Sequence, residues 1–291
     1  MSLKYGNSTH ESRFMASADN YNDADIIMVG APMDYTSGFK PGSRFGPRKI
    51  REVSHGLEEY SPYLDKSITA TRFFDCGDLE LPFGDVPESL RIIEKAAEEI
   101  TGDDKIPLFM GGEHLVSVPA VKQVYKKHGN NLVLFHFDAH ADLRDGYLGY
   151  SKSHASTVRR IMDFMPGKNI FQFGIRSGTE EEFNFARENT NLYKYDILRF
   201  LGEIIKIVCG RPVYITIDID VVDPAYANGT GTPEPGGISS REIIQSVTML
   251  KGLNIVGADL VEVAPVYDLS DRTALLAAEI IRELLLVMER K

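Results

Sequence analysis

Asp138-Ala139-His140-Ala141-Asp142 places two carboxylates and an imidazole at alternate positions directly after the apolar run Leu132 to Phe137. In a near-extended chain, side chains at i, i+2 and i+4 leave the same face, so the three groups converge. Asp218-Ile219-Asp220 repeats the spacing after the run Val213 to Ile217, and a third run, Pro107 to Met110, leads through Gly111-Gly112-Glu113 to His114. Four carboxylates and two imidazoles gathered in one place are costly unless something positive holds them, and a divalent metal is the simplest neutraliser. Oxygen and imidazole donors without thiolate favour manganese, magnesium, iron or nickel over a structural zinc. Six ligands exceed what one ion with an open catalytic position needs, but with bridging carboxylates they suit two ions roughly 3.5 to 4 Å apart. Four carboxylates balance two divalent ions, and a bridging hydroxide leaves the cluster slightly negative, which favours a cationic substrate.

A lone Asp-x-His-x-Asp also arises from caps and turns at strand ends. Its echo after a second strand, with Gly-Gly-Glu-His after a third, argues for the metal. His136 has the parity of Asp138 but sits deeper in the apolar run, so it reads as a core histidine or as a support for a ligand. His10, His55 and His128 fall outside any such cluster and read as surface residues.

The elements that position these groups follow from the apolar pattern. Buried strands are expected at Ile26 to Val29, Phe73 to Phe74, Pro107 to Met110, Leu132 to Phe137, Ile170 to Phe173, Val213 to Ile217 and Ile255 to Val263. Helices are expected at Pro87 to Ile100, Ser117 to His128, Ser156 to Phe164, Ile197 to Val208, Ser239 to Met249 and Thr273 to Glu289. This alternation predicts an α/β fold with a mostly parallel sheet covered on both faces. No linker, repeat or low-complexity segment interrupts it, so residues 1–291 read as a single domain. The Gly/Pro-dense stretches Gly38 to Pro47 and Asn228 to Gly237 read as loops at the sheet edge, where open α/β sheets place their sites.

Composition narrows the function classes. A net charge of -10, with no dense Lys/Arg run, argues against nucleic acid. No stretch approaches the roughly 18 to 20 apolar residues of a membrane span. The first 25 residues are polar and lack the apolar core of a signal peptide, so the cytoplasm is the expected location. Cys76 and Cys209 lie far apart without Cys-x-x-Cys spacing and are expected to be inert thiols.

Several blocks together strongly resemble the ureohydrolases, the family of arginase and agmatinase: Gly30 to Asp34, Pro41 to Pro47, Gly111 to His114, Phe137 to Asp142, Ser153-His154, Asp218 to Pro224, Thr232 to Gly237 and Val261 to Val263. The resemblance implies a three-layer α/β/α fold around an eight-stranded, mostly parallel sheet with two Mn²⁺ at the strand ends. It implies that His114, Asp138, Asp142 and Asp218 hold one ion and Asp138, His140, Asp218 and Asp220 the other, with Asp138 and Asp218 bridging. Glu262, a carboxylate inside an apolar strand run, matches the residue that pairs with the guanidinium nitrogens, and His154 matches the proton-shuttling histidine. The expected chemistry is attack on the guanidinium carbon by a hydroxide hydrogen-bonded to Asp142, releasing urea and an amine.

After the metal motif, arginases typically carry an Asn-Thr-Pro segment that binds the substrate's α-carboxylate and α-amine. This chain has Leu143-Arg144-Asp145-Gly146-Tyr147-Leu148-Gly149, similar to bacterial agmatinases. Agmatine is therefore the expected substrate, giving putrescine and urea in polyamine synthesis, and a trimer or hexamer is the expected assembly. An inward Arg144 would instead greet the carboxylate of guanidinobutyrate or formiminoglutamate; a solvent-facing Arg144 is the preferred reading. Arginine, a two-metal phosphoesterase and a non-catalytic metal-binding scaffold remain as alternatives.

Overall fold

The computed structural model describes residues 13–289. His10 and the rest of residues 1–12 lie outside the described residues. In chain order the elements are β1 (Ile26–Ala31), α1 (Gly46–Ser54), β2 (Tyr60–Ser61), β3 (Lys66–Ser67), β4 (Phe73–Asp78), α2 (Val86–Gly102), β5 (Ile106–Gly111), α3 (Ser117–His128) and β6 (Val133–Phe137). They continue with α4 (Thr157–Ile161), β7 (Ile170–Phe173), α5 (Glu180–Asn189), β8 (Asn191–Tyr193), α6 (Ile197–Val208), β9 (Pro212–Asp218), α7 (Ser240–Met249), β10 (Asn254–Val261) and α8 (Arg272–Met288). Eight strands form one sheet in the order β4-β1-β5-β10-β9-β6-β7-β8, and β2 and β3 form a small hairpin.

Every pairing within the large sheet is parallel. A parallel sheet covered on both faces buries both sides of its strands, which is why β1, β5, β6, β7 and β9 are unbroken buried runs. Side chains still alternate between two cores. Ile26 and Met28 join the core built with α6, α7 and α8, while Ile27, Val29 and Ala31 join the core built with α2, α3 and α4. Three layers result, as expected.

Four expectations are corrected. First, α1 begins at Gly46, inside the stretch Gly38 to Pro47 whose composition predicts loop. Gly46 opens the helix because any Cβ there would lie 2.4 Å from the Val263 carbonyl oxygen. Second, α5 and the short edge strand β8 were not foreseen. Third, the regular α-helix expected from Ser156 to Phe164 is confined to Thr157–Ile161, with a tight turn over His154–Ser156 before it. Fourth, β10 ends at Val261, so Glu262 stands one residue beyond the strand, with φ at 65°. The remaining expected helices agree within two residues at either end.

Candidate metal centre and its cavity

The four strands in the middle of the sheet, β5, β10, β9 and β6, end side by side and deliver the chemistry-bearing residues to one place. β5 passes through Gly111 and Gly112 into a tight turn that starts at His114. Gly112 is required by close approach, since a Cβ there would come within 2.0 Å of the Met33 carbonyl oxygen. β6 runs directly into Asp138, β9 ends on Asp218, and Asp220 lies in the single turn that follows. Asp142 adopts a left-handed backbone (φ 53°), which aspartate tolerates.

His114 Nδ1 stands 3.0 Å from Asp138 Oδ2, 3.3 Å from Asp142 Oδ2 and 3.4 Å from Asp218 Oδ2. His140 Nδ1 stands 2.9 Å from Asp220 Oδ2 and 3.5 Å from Asp138 Oδ1. Asp138 therefore touches both halves of the cluster. His114, Asp138, Asp142, Asp218 and Asp220 are buried, and His140 is partly exposed. The fold brings all six expected ligands together.

Electrostatics fit a cation. Burial, reinforced by Asp220 and Asp138, pushes the Asp218 carboxyl well above its ordinary range, and burial and Asp138 raise Asp220 as well. Burial disfavours a charged His114, but Asp138, Asp142 and Asp218 outweigh it and hold the ring well above the usual histidine value. His114 Nδ1, Asp138 Oδ2 and Asp220 Oδ2 are buried without a hydrogen bond of acceptable geometry. Donor atoms that converge, repel and lack partners are what divalent ions satisfy. The cluster has the make-up of a binuclear metal site.

Polar residues that the motif did not single out fix the orientation of the donors. Thr216 Oγ1 donates to Asp259 Oδ1 at 2.5 Å and so accepts from His114 Nε2 at 2.9 Å, which turns His114 Nδ1 toward the carboxylates. Tyr214 donates to the other oxygen of Asp259 at 2.8 Å. His136 is fully buried, stacks on His114 at 5.1 Å and places Nε2 at 2.9 Å from Asp138 Oδ2. Gln172 Nε2 donates to Ala141 O at 2.8 Å and to His136 Nδ1 at 3.3 Å, which leaves the hydrogen on His136 Nε2, the nitrogen beside Asp138. His136 thus packs against two residues of the cluster rather than standing apart in the core. Asp259 carried the signal already noticed in Glu262: a carboxylate inside an apolar strand run.

Glu262 is buried, and its Oε1 accepts from His114 N at 2.8 Å. Burial, with Glu113 close by, pushes its carboxyl up to about 8. Glu262 follows β10, a central strand, and so lies inside the molecule and not at its surface. His154 lies across the cavity, its N donating to Thr36 Oγ1 at 3.0 Å and its Nδ1 3.4 Å from the same oxygen. Thr36 in turn donates from N and Oγ1 to the buried Glu113 at 2.7 and 2.8 Å. Burial lowers the pKa of His154.

A cavity of about 270 Å³ opens onto the cluster, lined among others by His114, Asp142, His154, Asp218, Glu234 and Glu262. Arg144 lines it too, with its side chain 38% exposed. Its Nε lies 3.5 Å from Glu182 Oε2, and its guanidinium sits 5.2 Å from the Tyr147 ring centre. Both Gly/Pro-dense loops border the site: a Cβ at Gly231 would lie 3.1 Å from Lys40 O and 3.5 Å from Glu262 Oε2. Outside the site, Cys76 is half-buried and Cys209 is exposed. His55 is exposed, as expected, and His128 is half-buried. No helix among the described residues is long and apolar enough to cross a membrane.

Comparison with known proteins agrees with this geometry. Agmatinase from Bacillus subtilis (strain 168) is 51% identical over 276 residues, covering 94% of this chain and 95% of that protein. Guanidinobutyrase from Pseudomonas aeruginosa is 35% identical, covering 91% of this chain and 86% of its own. The crystal structure of agmatine ureohydrolase from Thermoplasma volcanium superposes with a TM-score of 0.87 at 31% identity, covering 95% of this chain and 94% of that one. The arginase family profile matches residues 24–287, so nearly all of the described chain, metal cluster included, falls inside it, and the protein belongs to the arginase family.

Proposed function

We propose that this protein hydrolyses the guanidinium group of agmatine to putrescine and urea. The observation that carries the reading is the convergence of unpartnered donors from His114, Asp138 and Asp220 beside a cavity that presents Glu262 and His154. In this reading His114, Asp138, Asp142 and Asp218 hold one Mn²⁺, and Asp138, His140, Asp218 and Asp220 hold the other. The ion pair, when bound, supplies a hydroxide near neutral pH and a Lewis acid.

The chain's own residues do the rest. Glu262 has Oε1 fixed by His114 N, which leaves Oε2 to accept from the guanidinium and orient its carbon. A guanidinium beside Glu262 also opposes the burial that raises its carboxyl, so substrate and carboxylate stabilise each other's charges. Asp142, at the cavity floor, accepts the proton of the attacking oxygen, and His154 delivers a proton to the departing amine. Thr36 holds His154 in place from below.

Arg144 motivates a second reading, a guanidine with an acidic tail such as guanidinobutyrate, because it lines the cavity. Its pairing with Glu182 favours agmatine. The protein is further read as one catalytic domain, cytoplasmic and assembled as a trimer or hexamer. Exposed apolar side chains on loops after β1, β6 and β10, such as Phe39, Leu148 and Leu269, support the assembly. Urea release by Mn²⁺-loaded protein with agmatine, arginine, guanidinobutyrate and formiminoglutamate, assaying formamide for the last, tests the substrate: turnover of agmatine alone is expected, and silence on all four overturns the reading. Asp138→Asn or Asp218→Asn abolishes binding of the ion pair and activity; full activity in either sinks the two-ion assignment.

A further inference from the structure

The cavity has one carboxylate whose work the chemistry above does not use. Of its five acidic residues, Asp142, Asp218 and Glu262 belong to the cluster or hold the guanidinium. Glu182 is spent on structure: Oε1 accepts from Leu143 N at 3.1 Å, and Oε2 accepts from Thr179 N and Oγ1 at 2.8 and 3.1 Å, closing the cap of α5. That leaves Glu234, in the Thr232-Pro233-Glu234-Pro235 loop between β9 and α7.

Glu234 is set in place from both ends. Its main-chain oxygen accepts from Arg176 Nε and Nη2 at 3.3 and 2.8 Å, and the same guanidinium also grips Asp220 O and Val221 O. Its side-chain Oε1 accepts from Ser177 Oγ at 2.9 Å and lies 3.7 Å from His140 Nε2. Oε2 has no hydrogen-bond partner among the described residues, and the side chain is 38% exposed. His140 spans the interval between the cluster, faced by its Nδ1, and Glu234, faced by its Nε2. The carboxylate therefore lies on the far side of the His140 ring from the cluster, on the wall of the same cavity as Glu262.

Resting on the guanidine-hydrolase reading, we propose that Glu234 binds the distal ammonium of the substrate through Oε2 and so selects amine-tailed guanidines over neutral or acid-tailed ones. Arg144, on the same cavity, does not cancel it, because its charge is tethered to Glu182 and stacked on Tyr147. A negative tail would meet Glu234 directly and be repelled.

The test compares agmatine with n-butylguanidine, which keeps the reacting group and chain but lacks the ammonium. Mn²⁺-loaded parent and Glu234→Gln are assayed on both, and metal content and calorimetric binding of 1,4-diaminobutane are measured in parallel. Losing a charge-assisted hydrogen bond to an ammonium predicts that the agmatine to n-butylguanidine ratio of kcat/KM falls about tenfold to a hundredfold, mainly through KM. Diaminobutane binding weakens by a similar factor, with two ions still bound. Taking the ratio within one variant cancels any loss of folded protein. An unchanged ratio, unchanged diaminobutane affinity, or loss of metal with equal losses on both substrates overturns the assignment, the last by showing that Glu234 acts only through His140. A parent enzyme inactive on both guanidines fails the hydrolase reading instead, and diaminobutane binding then judges Glu234 alone.

Discussion

Thr216→Val isolates one link behind the metal cluster. Valine nearly matches threonine in shape, so no large cavity opens, but three buried partners lose their hydroxyl: Asp259 Oδ1 at 2.5 Å, His114 Nε2 at 2.9 Å and Ser117 Oγ at 3.4 Å. An unsatisfied buried polar atom costs about 1–3 kcal/mol, so with Tyr214 still holding Asp259 the variant is expected to lose about 3 kcal/mol of stability. Thr216 also fixes which nitrogen of His114 carries its hydrogen, so losing it weakens Mn²⁺ binding about tenfold to a hundredfold. Guanidinium denaturation of the metal-free protein reads the first effect, and calorimetric Mn²⁺ titration reads the second. Thr216→Ser, which keeps the hydroxyl, restores both. If Thr216→Val loses stability yet binds Mn²⁺ like the parent, the hydroxyl does not orient His114 and the relay is refuted.

Thr36→Val is expected to lower kcat about tenfold to a hundredfold with little change in KM, because His154 loses its anchor while Glu262 still binds the guanidinium, and Thr36→Ser recovers most of the rate; a defect confined to KM contradicts this role. Asp268 accepts from Ser270 N and Oγ and from Thr273 N and Oγ1, at 2.6 to 3.0 Å, and these bonds outweigh burial to hold its carboxyl at about 2. The unfolded carboxyl titrates near 3.9, so this contribution of about 2 kcal/mol is complete above that pH and is lost as pH falls through about 2. Acid-unfolding curves of Asp268→Asn should lack that portion, and equal stability at pH 7 would exclude it. Stripping metal with a chelator is expected to lower Tm by about 5 °C relative to protein held at a hundredfold excess over Kd. Since His114 holds a proton more tightly than an ordinary histidine, Mn²⁺ affinity weakens as pH falls, and an affinity independent of pH would refute the donor assignment.

How much was legible follows from what each element buries. Central parallel strands are apolar on both sides, so β1, β5, β6, β7 and β9 stood out as runs. The edge strand β8 has three half-buried residues, Asn191, Leu192 and Tyr193, and pairs only with β7, so it carries no such run. Helix α5 begins with Glu180, Glu181 and Glu182 and buries only Glu182 and Ala186, too little for a 3.6-residue stripe. Thr179 and Glu182 nonetheless form a capping box, a signal present in the sequence that would have placed its start. That the six acidic and imidazole side chains meet in one cluster was legible because strand ends impose their spacing. Thr36, Glu113, Thr216 and Ser177 were not, because single hydroxyls and carboxylates acquire their roles only from partners up to 118 residues away.

The strand order also sets a schedule for synthesis. β9 and β10 are made late yet lie between β5 and β6, which are made early. A ribosome-bound chain that has released β1 through β8 carries His114, Asp138, His140 and Asp142 but lacks Asp218, Asp220 and Glu262. Its half-sheets have nothing between them, and its donor atoms have no opposing wall. Metal capture is thereby tied to completion of the polypeptide: a prematurely terminated product cannot assemble both halves of the ion site, and the last strands to emerge close the barrier between an inert precursor and a catalyst.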